Sequence, residues 1–239
     1  MGSYMKFSIH GFANCLVLAS GVACFGLSAP LSAAIVDITY TGTVSAGWDY
    51  AGVFGTGGNL AGQAYTSHYT FDTANGAWVS NGLENYAYGG YHYALASPNI
   101  SASMTINATT ISWVGNYSAE IYGADDTVQP GIYSEVYHFA SYLNGGDYTA
   151  MENYSYELSS GYYPLSLSDP FSASLIGYAV GSFVKYTNNW TLDASATLAP
   201  DHVSINSPVP EPESYAMMLA GLGLLGFMGQ RRKLKGAAA

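Results

Sequence analysis

Four tyrosines crowd into eight positions of the chain: Tyr86, Tyr88, Tyr91 and Tyr93, set around Gly89-Gly90 with His92 between them. Aromatic rings displayed on sheet faces or loops can stack on the apolar face of a pyranose while polar neighbours bond its hydroxyls. Tyrosine is also a favoured strand residue that packs well across strands, so the cluster reads equally as structure. The other reactive groups are sparser. His68, His92, His138 and His202 show neither i, i+4 spacing nor an HExxH pattern, which argues against a zinc site. His68 and His138 sit in alternating stretches and read as polar-face residues. Asp125-Asp126 and Asn144-Gly145-Gly146-Asp147 place oxygen ligands in turns that could hold structural calcium, although neither fits a twelve-residue calcium loop. No other cofactor or metal is implied. Glycoside hydrolysis would need two facing carboxylates, and no pair stands out in the sequence. A GxSxG elbow and a phosphate-cradling glycine loop are absent. The sequence therefore points away from an enzyme.

Charge narrows the partners. The whole chain has sixteen carboxylates and six lysines and arginines. Between Ile35 and Pro210 only Lys185 faces fourteen of those carboxylates, a net charge of about −13. Such a domain repels nucleic acid and anionic polysaccharide. Acidity keeps a protein soluble, and carboxylates bridged by divalent cations are the alternative use.

Elements that would position these residues alternate with a period of two. In DITYTGTV, Ile38, Tyr40 and Val44 share one face; in SASMTIN, Ala102, Met104 and Ile106 do so. Asn107-Ala108-Thr109 then turns the chain toward Ile111 and Trp113, a predicted hairpin. Alternation continues through YTSHYTF, IYSEVYHFASY and WTLDASATL, with breaks at GTGGN, YGGY, GADDTVQPG and LNGGD. Enrichment in Tyr, Thr, Val and Ser with this spacing predicts an all-β fold: an antiparallel β-sandwich, jelly-roll-like, over residues 35–198. Five Asn-x-Ser/Thr sites, at Asn99, Asn107, Asn116, Asn153 and Asn189, follow from the Asn, Ser and Thr content.

Two termini differ from this domain. Met5-Lys6 followed by FSIHGFANCLVLASGVACFGL has the order of an export signal for the Sec machinery. Ser32-Ala33-Ala34 offers small residues for cleavage, so residues 1–34 read as a signal peptide and helix. Met1 and Met5 are both candidate starts. Cys15 and Cys24 lie inside that signal, which leaves no thiol for catalysis, disulfides or metal in the mature chain. Gly21 disfavours a lipoprotein signal at Cys24. Residues 199–208, with Pro200 and Pro208, read as a linker.

The last thirty residues carry the sharpest pattern. Val209-Pro210-Glu211-Pro212 is stiff and extended, because each proline fixes its own φ and restricts the residue before it. Residues 209–214 hold this motif, and the uncharged segment 215–230 predicts a single hydrophobic helix. Sixteen helical residues reach about 24 Å, short of a hydrocarbon core of about 30 Å. That length suits a transient membrane handle. Gly221, Gly223, Gly226 and Gly229 bare the helix to a close partner. Arg231, Arg232 and Lys233, in the tail 231–239, form a basic stop that stays cytoplasmic, leaving the β-domain outside.

This order of extended motif, apolar segment and basic cluster resembles the PEP-CTERM sorting signal of Gram-negative bacteria. The resemblance implies recognition by exosortase, a multi-spanning membrane enzyme that removes the tail. It implies a route through the inner membrane to the cell surface or an extracellular polymer matrix. The expected role is a surface or matrix protein without catalysis. A carbohydrate-binding module of the exopolysaccharide is the alternative, and a secreted glycan hydrolase a third reading. The β-domain also resembles a set of PEP-CTERM proteins of unassigned role, through Asp49, Gly52, Phe54, Gly55, Leu60, Gly62 and Asp72. That likeness transfers no site.

Overall fold

The computed structural model describes residues 35–55, 57–113, 117–126, 133–159, 161–164, 170–206 and 220–222. Among the described residues thirteen strands follow one another: β1 (Ile35–Asp49), β2 (Gly58–Asn59), β3 (Ala64–Asp72), β4 (Ala77–Ser80), β5 (Glu84–Gly90), β6 (Asn99–Ile106), β7 (Thr109–Trp113), β8 (Tyr117–Asp126), β9 (Tyr133–Asn144), β10 (Asp147–Glu157), β11 (Phe171–Ser174), β12 (Tyr178–Thr187) and β13 (Thr191–Ile205). The all-β expectation is met. Every strand pairing is antiparallel, and the strands join in one sheet of order β4-β5-β8-β9-β10-β12-β13-β1-β3-β6-β7. β2 adds to β1, and β11 adds to the end of β13.

The sheet curls so that its two halves meet face to face. Tyr40 on β1 shares a 2.7 Å hydrogen bond with His138 on β9. Asn153 on β10 donates to Ser67 Oγ at 2.8 Å and Tyr69 Oη at 2.9 Å on β3, and accepts from Tyr65 at 3.2 Å. Of the expected antiparallel, jelly-roll-like β-sandwich, the structure gives the coarser form, one antiparallel sheet curled on itself. Hydrogen bonding runs on from one half to the other through β12, β13 and β1. Register shifts between Thr41 and Gly42, between Val44 and Ala46, and between Lys185 and Tyr186 mark bulges there, and bulges bend strands.

Inside the curl, Ile38, Tyr40, Tyr69, Phe71, Met104, Ile106, Ile121, Met151, Phe183 and Val203 form one buried core. Full burial of such side chains is worth roughly 1.5–3 kcal/mol each. The predicted alternation holds in β1 and β6, where Ile38, Tyr40 and Val44, and Ala102, Met104 and Ile106, face inward. The predicted hairpin is β6–β7, with Asn107 and Ala108 both at positive φ, as a tight two-residue turn demands.

Three expectations change. His138 is not a polar-face residue; it lies on the inward face of β9, 1 % exposed. Gly89-Gly90 is no break, because both residues belong to β5 and pair with Ala119 and Ser118. They are glycines because a Cβ on Gly90 would lie 2.0 Å from the Tyr117 carbonyl oxygen, and one on Gly89 2.0 Å from that of Ala96. Residues 199–205, expected in the linker 199–208, continue β13 and pair with β1 and β11. Pro200 interrupts the ladder only locally: it sits opposite Gly42 at a bulge, a place where strands tolerate proline. The signal segment 1–34 lies outside the described residues.

Candidate functional site

The outer face of the half-sheet β5-β8-β9-β10-β12 carries the densest chemistry. Antiparallel partners share a face, and register places Tyr86 opposite Tyr122, Tyr122 opposite Tyr137, and Tyr137 opposite Tyr154. Four tyrosines thus cross four adjacent strands in one row. With strands about 4.8 Å apart, the row spans about 14 Å. A second row reads Tyr88, Glu120, Phe139, Glu152 and Ser182, and a third Glu84, Ala124, Glu135, Tyr156 and Tyr178. Aromatic and carboxylate positions therefore interleave across five strands.

Ring contacts tie the rows together. Tyr86 and Tyr88 stack at 5.0 Å, Tyr88 meets Tyr93 edge-on at 4.9 Å, and Tyr156 lies 5.4 Å from Tyr178. The phenols donate to the carboxylates beside them. Tyr122 donates to Glu84 at 3.2 Å, Tyr137 to Glu152 at 3.3 Å, Tyr154 to Glu135 at 2.6 Å, and Tyr93 to Glu120. Their acidities agree with that role. Burial, then the negative charge and hydrogen bonding of neighbouring glutamates, pushes the Tyr122 and Tyr137 hydroxyls well above the ordinary tyrosine value. For Tyr93 the hydrogen bond to Glu120 is the leading cause of a raised value, and for Tyr86 it is burial. Ser182 adds a 2.9 Å bond to Glu152, and Asn81 one of 2.9 Å to Glu84. Among the described residues no basic side chain pairs with these four glutamates, and the one ion pair joins His68 to Asp37 at 3.4 Å.

Of the four tyrosines singled out in the sequence, the structure brings three together. Tyr86 and Tyr88 are on β5, and Tyr93 folds back from the following turn onto Tyr88. Tyr91 departs: its hydroxyl bonds Ser141 at 3.0 Å. Sequence reasoning missed Tyr122, Tyr137 and Tyr154. Tyr137 lies in the alternating stretch IYSEVYHFASY, but β8 and β10 carried no such reading, and the register that aligns the three is set by non-local pairing.

A cleft of about 480 Å³ opens between β7, β9, β10 and β12, lined by Trp113, Tyr142, Asp147, Thr149 and Lys185 among others. It takes in Asp147 of the suggested calcium turn, whose carboxylate accepts the Asn188 amide at 3.2 Å. Lys185 in the same cleft opposes a second cation there. Among the described residues no three histidines or carboxylates converge as metal ligands. Asp125 and Asp126 end β8 and form no turn.

Positions behind the second resemblance prove to shape loops. Asp49, buried, accepts the amides of Val53 and Phe54, each at 2.8 Å. Gly52, Gly55 and Gly62 adopt positive φ, while Phe54 packs on Phe183 at 5.4 Å. Leu60 is buried, and Asp72 accepts from Ala74 and Asn75.

Val209, Pro210, Glu211, Pro212, Arg231, Arg232 and Lys233 lie outside the described residues. Within the expected helix 215–230, residues 220–222 are described and are helical. No helix among the described residues is long and apolar enough to cross a membrane. Residues 208–233 match the PEP-CTERM protein-sorting motif, so the chain carries the signal of an exosortase substrate. That motif directs an exported protein to the surface of a Gram-negative cell, with exosortase as the processing partner. No curated protein and no solved structure matches the chain.

Proposed function

We propose that the chain is exported by the Sec machinery, held in the inner membrane by the segment 215–230, and cut near Pro210-Glu211-Pro212. The jelly-roll-like β-domain then enters the cell surface or extracellular matrix, where it works by binding and not by catalysis. The observation that carries this reading is the sorting motif at residues 208–233. The test is a strain lacking exosortase. Full-length protein with its Arg231-Arg232-Lys233 terminus should accumulate in the inner membrane; an unchanged fate defeats the proposal.

A second reading makes the β-domain a carbohydrate-binding module. The in-register row Tyr86, Tyr122, Tyr137 and Tyr154 favours it, because it sets one aromatic ring on each of four neighbouring strands, with Tyr86 and Tyr122 edge to face at 6.3 Å, and such rings offer successive contacts to consecutive sugars. Probing a glycan array with the purified chain checks it, and a flat profile removes it.

A further inference from the structure

We infer that the tyrosine and glutamate face binds a linear, positively charged amino-sugar polymer, a hexosamine chain with free amines. The inference rests on the carbohydrate-binding reading and assigns it a ligand class. Spacing and charge both lead there.

Strand spacing of about 4.8 Å is close to the length of one pyranose ring, so an extended glycan laid across the strands meets one ring per sugar. The row from Tyr86 to Tyr154 is continuous, because each pair is directly opposed in the ladder. All four tyrosines are half-buried on the outer face of the half-sheet, and the row crosses four strands, which suits a chain over a single sugar. Glu120 and Glu152 stand on one side of this row, and Glu84 and Glu135 on the other.

Those four carboxylates select the charge. Each already accepts a phenol proton, and phenols with raised pKa keep their protons, so the glutamates remain acceptors. A carboxylate has about four lone-pair sites, and one or two are taken here. The remainder face no basic side chain among the described residues. Uronate or sulfated chains would add like charge to a domain at about −13 and are repelled. A neutral glycan would stack and leave the carboxylates unused. Ammonium groups flanking a stacked sugar would use both features, the rings through stacking and cation–π attraction and the glutamates through charge-assisted hydrogen bonds.

The test is calorimetric titration of the detergent-solubilised full chain with a glucosamine hexamer, an N-acetylglucosamine hexamer, an oligogalacturonate and hexalysine. The glucosamine hexamer should bind, weaken with added salt, and fade as pH rises through the amine pKa. The Glu120→Gln/Glu152→Gln variant should weaken it by about fivefold, the range of exposed charge pairs. Tyr122→Ala should weaken it by about tenfold, as loss of an aromatic anchor does. Thermal melting confirms that both variants fold, and the glutamine pair preserves shape if Tyr122→Ala does not. Equal binding of the N-acetylated hexamer, lost in Tyr122→Ala, would overturn the amine requirement and leave the carbohydrate reading standing. Binding of no sugar defeats both. Hexalysine binding as well as glucosamine, or glucosamine binding indifferent to every variant, would reduce the effect to bulk acidity and overturn the proposed face.

Discussion

His138 is held uncharged by the fold. Buried between Tyr40, Tyr69 and Phe71, it has its pKa lowered by desolvation from 6.5 to about 3. The unfolded chain takes a proton near pH 6.5, and the folded chain does not until about pH 3. Between those values the unfolded state holds more protons, so stability falls as pH falls through that window, by about 1.4 kcal/mol per pH unit from this group. Urea midpoints at pH 7 and pH 5 should differ less in His138→Gln than in the natural protein. Asn153 is the other buried polar anchor, 0 % exposed. Replacing it with leucine strands the hydroxyls of Ser67, Tyr69 and Tyr65 and should cost roughly 2–4 kcal/mol in urea unfolding. Its Asn-x-Ser context cannot carry a glycan in the folded domain. Neither residue's role was legible beforehand. Period-two reading assigns faces within one strand, and it cannot say that His138, polar by type, sits on the apolar side to answer a tyrosine from β1.

At the scale of elements, β13 decides whether the domain is complete. Its last residues pair with Ile38–Gly42 of β1 and with β11, so a chain ending at Leu198 should remain unfolded, while one ending at Asn206 should melt cooperatively. Circular dichroism and thermal melting of the two truncations check this. Gly42 belongs to the same joint. A Cβ there would lie 2.2 Å from the Ala199 carbonyl oxygen, so Gly42→Ala should destabilise by about 1–3 kcal/mol. β1, β3, β6, β7, β9 and the first part of β13 were readable from alternation. The end of β13 was not, because prolines normally punctuate, and only the opposing glycine makes Pro200 tolerable. The tyrosine row was half legible for a similar reason. Tyr86 and Tyr88 are neighbours in sequence, whereas Tyr137 reaches them only through two intervening strand pairings.

For the whole molecule, charge and destination belong together. A domain at about −13 repels itself, so raising salt from low to physiological levels should stabilise it, by on the order of 1 kcal/mol. Urea midpoints in 10-fold different sodium chloride concentrations measure this. Lys185 has one more effect. It is the sole lysine or arginine between Ile35 and Pro210, and it lies within β12, flanked by β10 and β13. Trypsin-like proteases, which cut after basic side chains, therefore have no loop by which to enter the folded domain. After unfolding they would release only two long fragments from it, too large for routine peptide mapping. The folded domain would thus persist in the presence of such proteases, and a tryptic survey of surface proteins would overlook it.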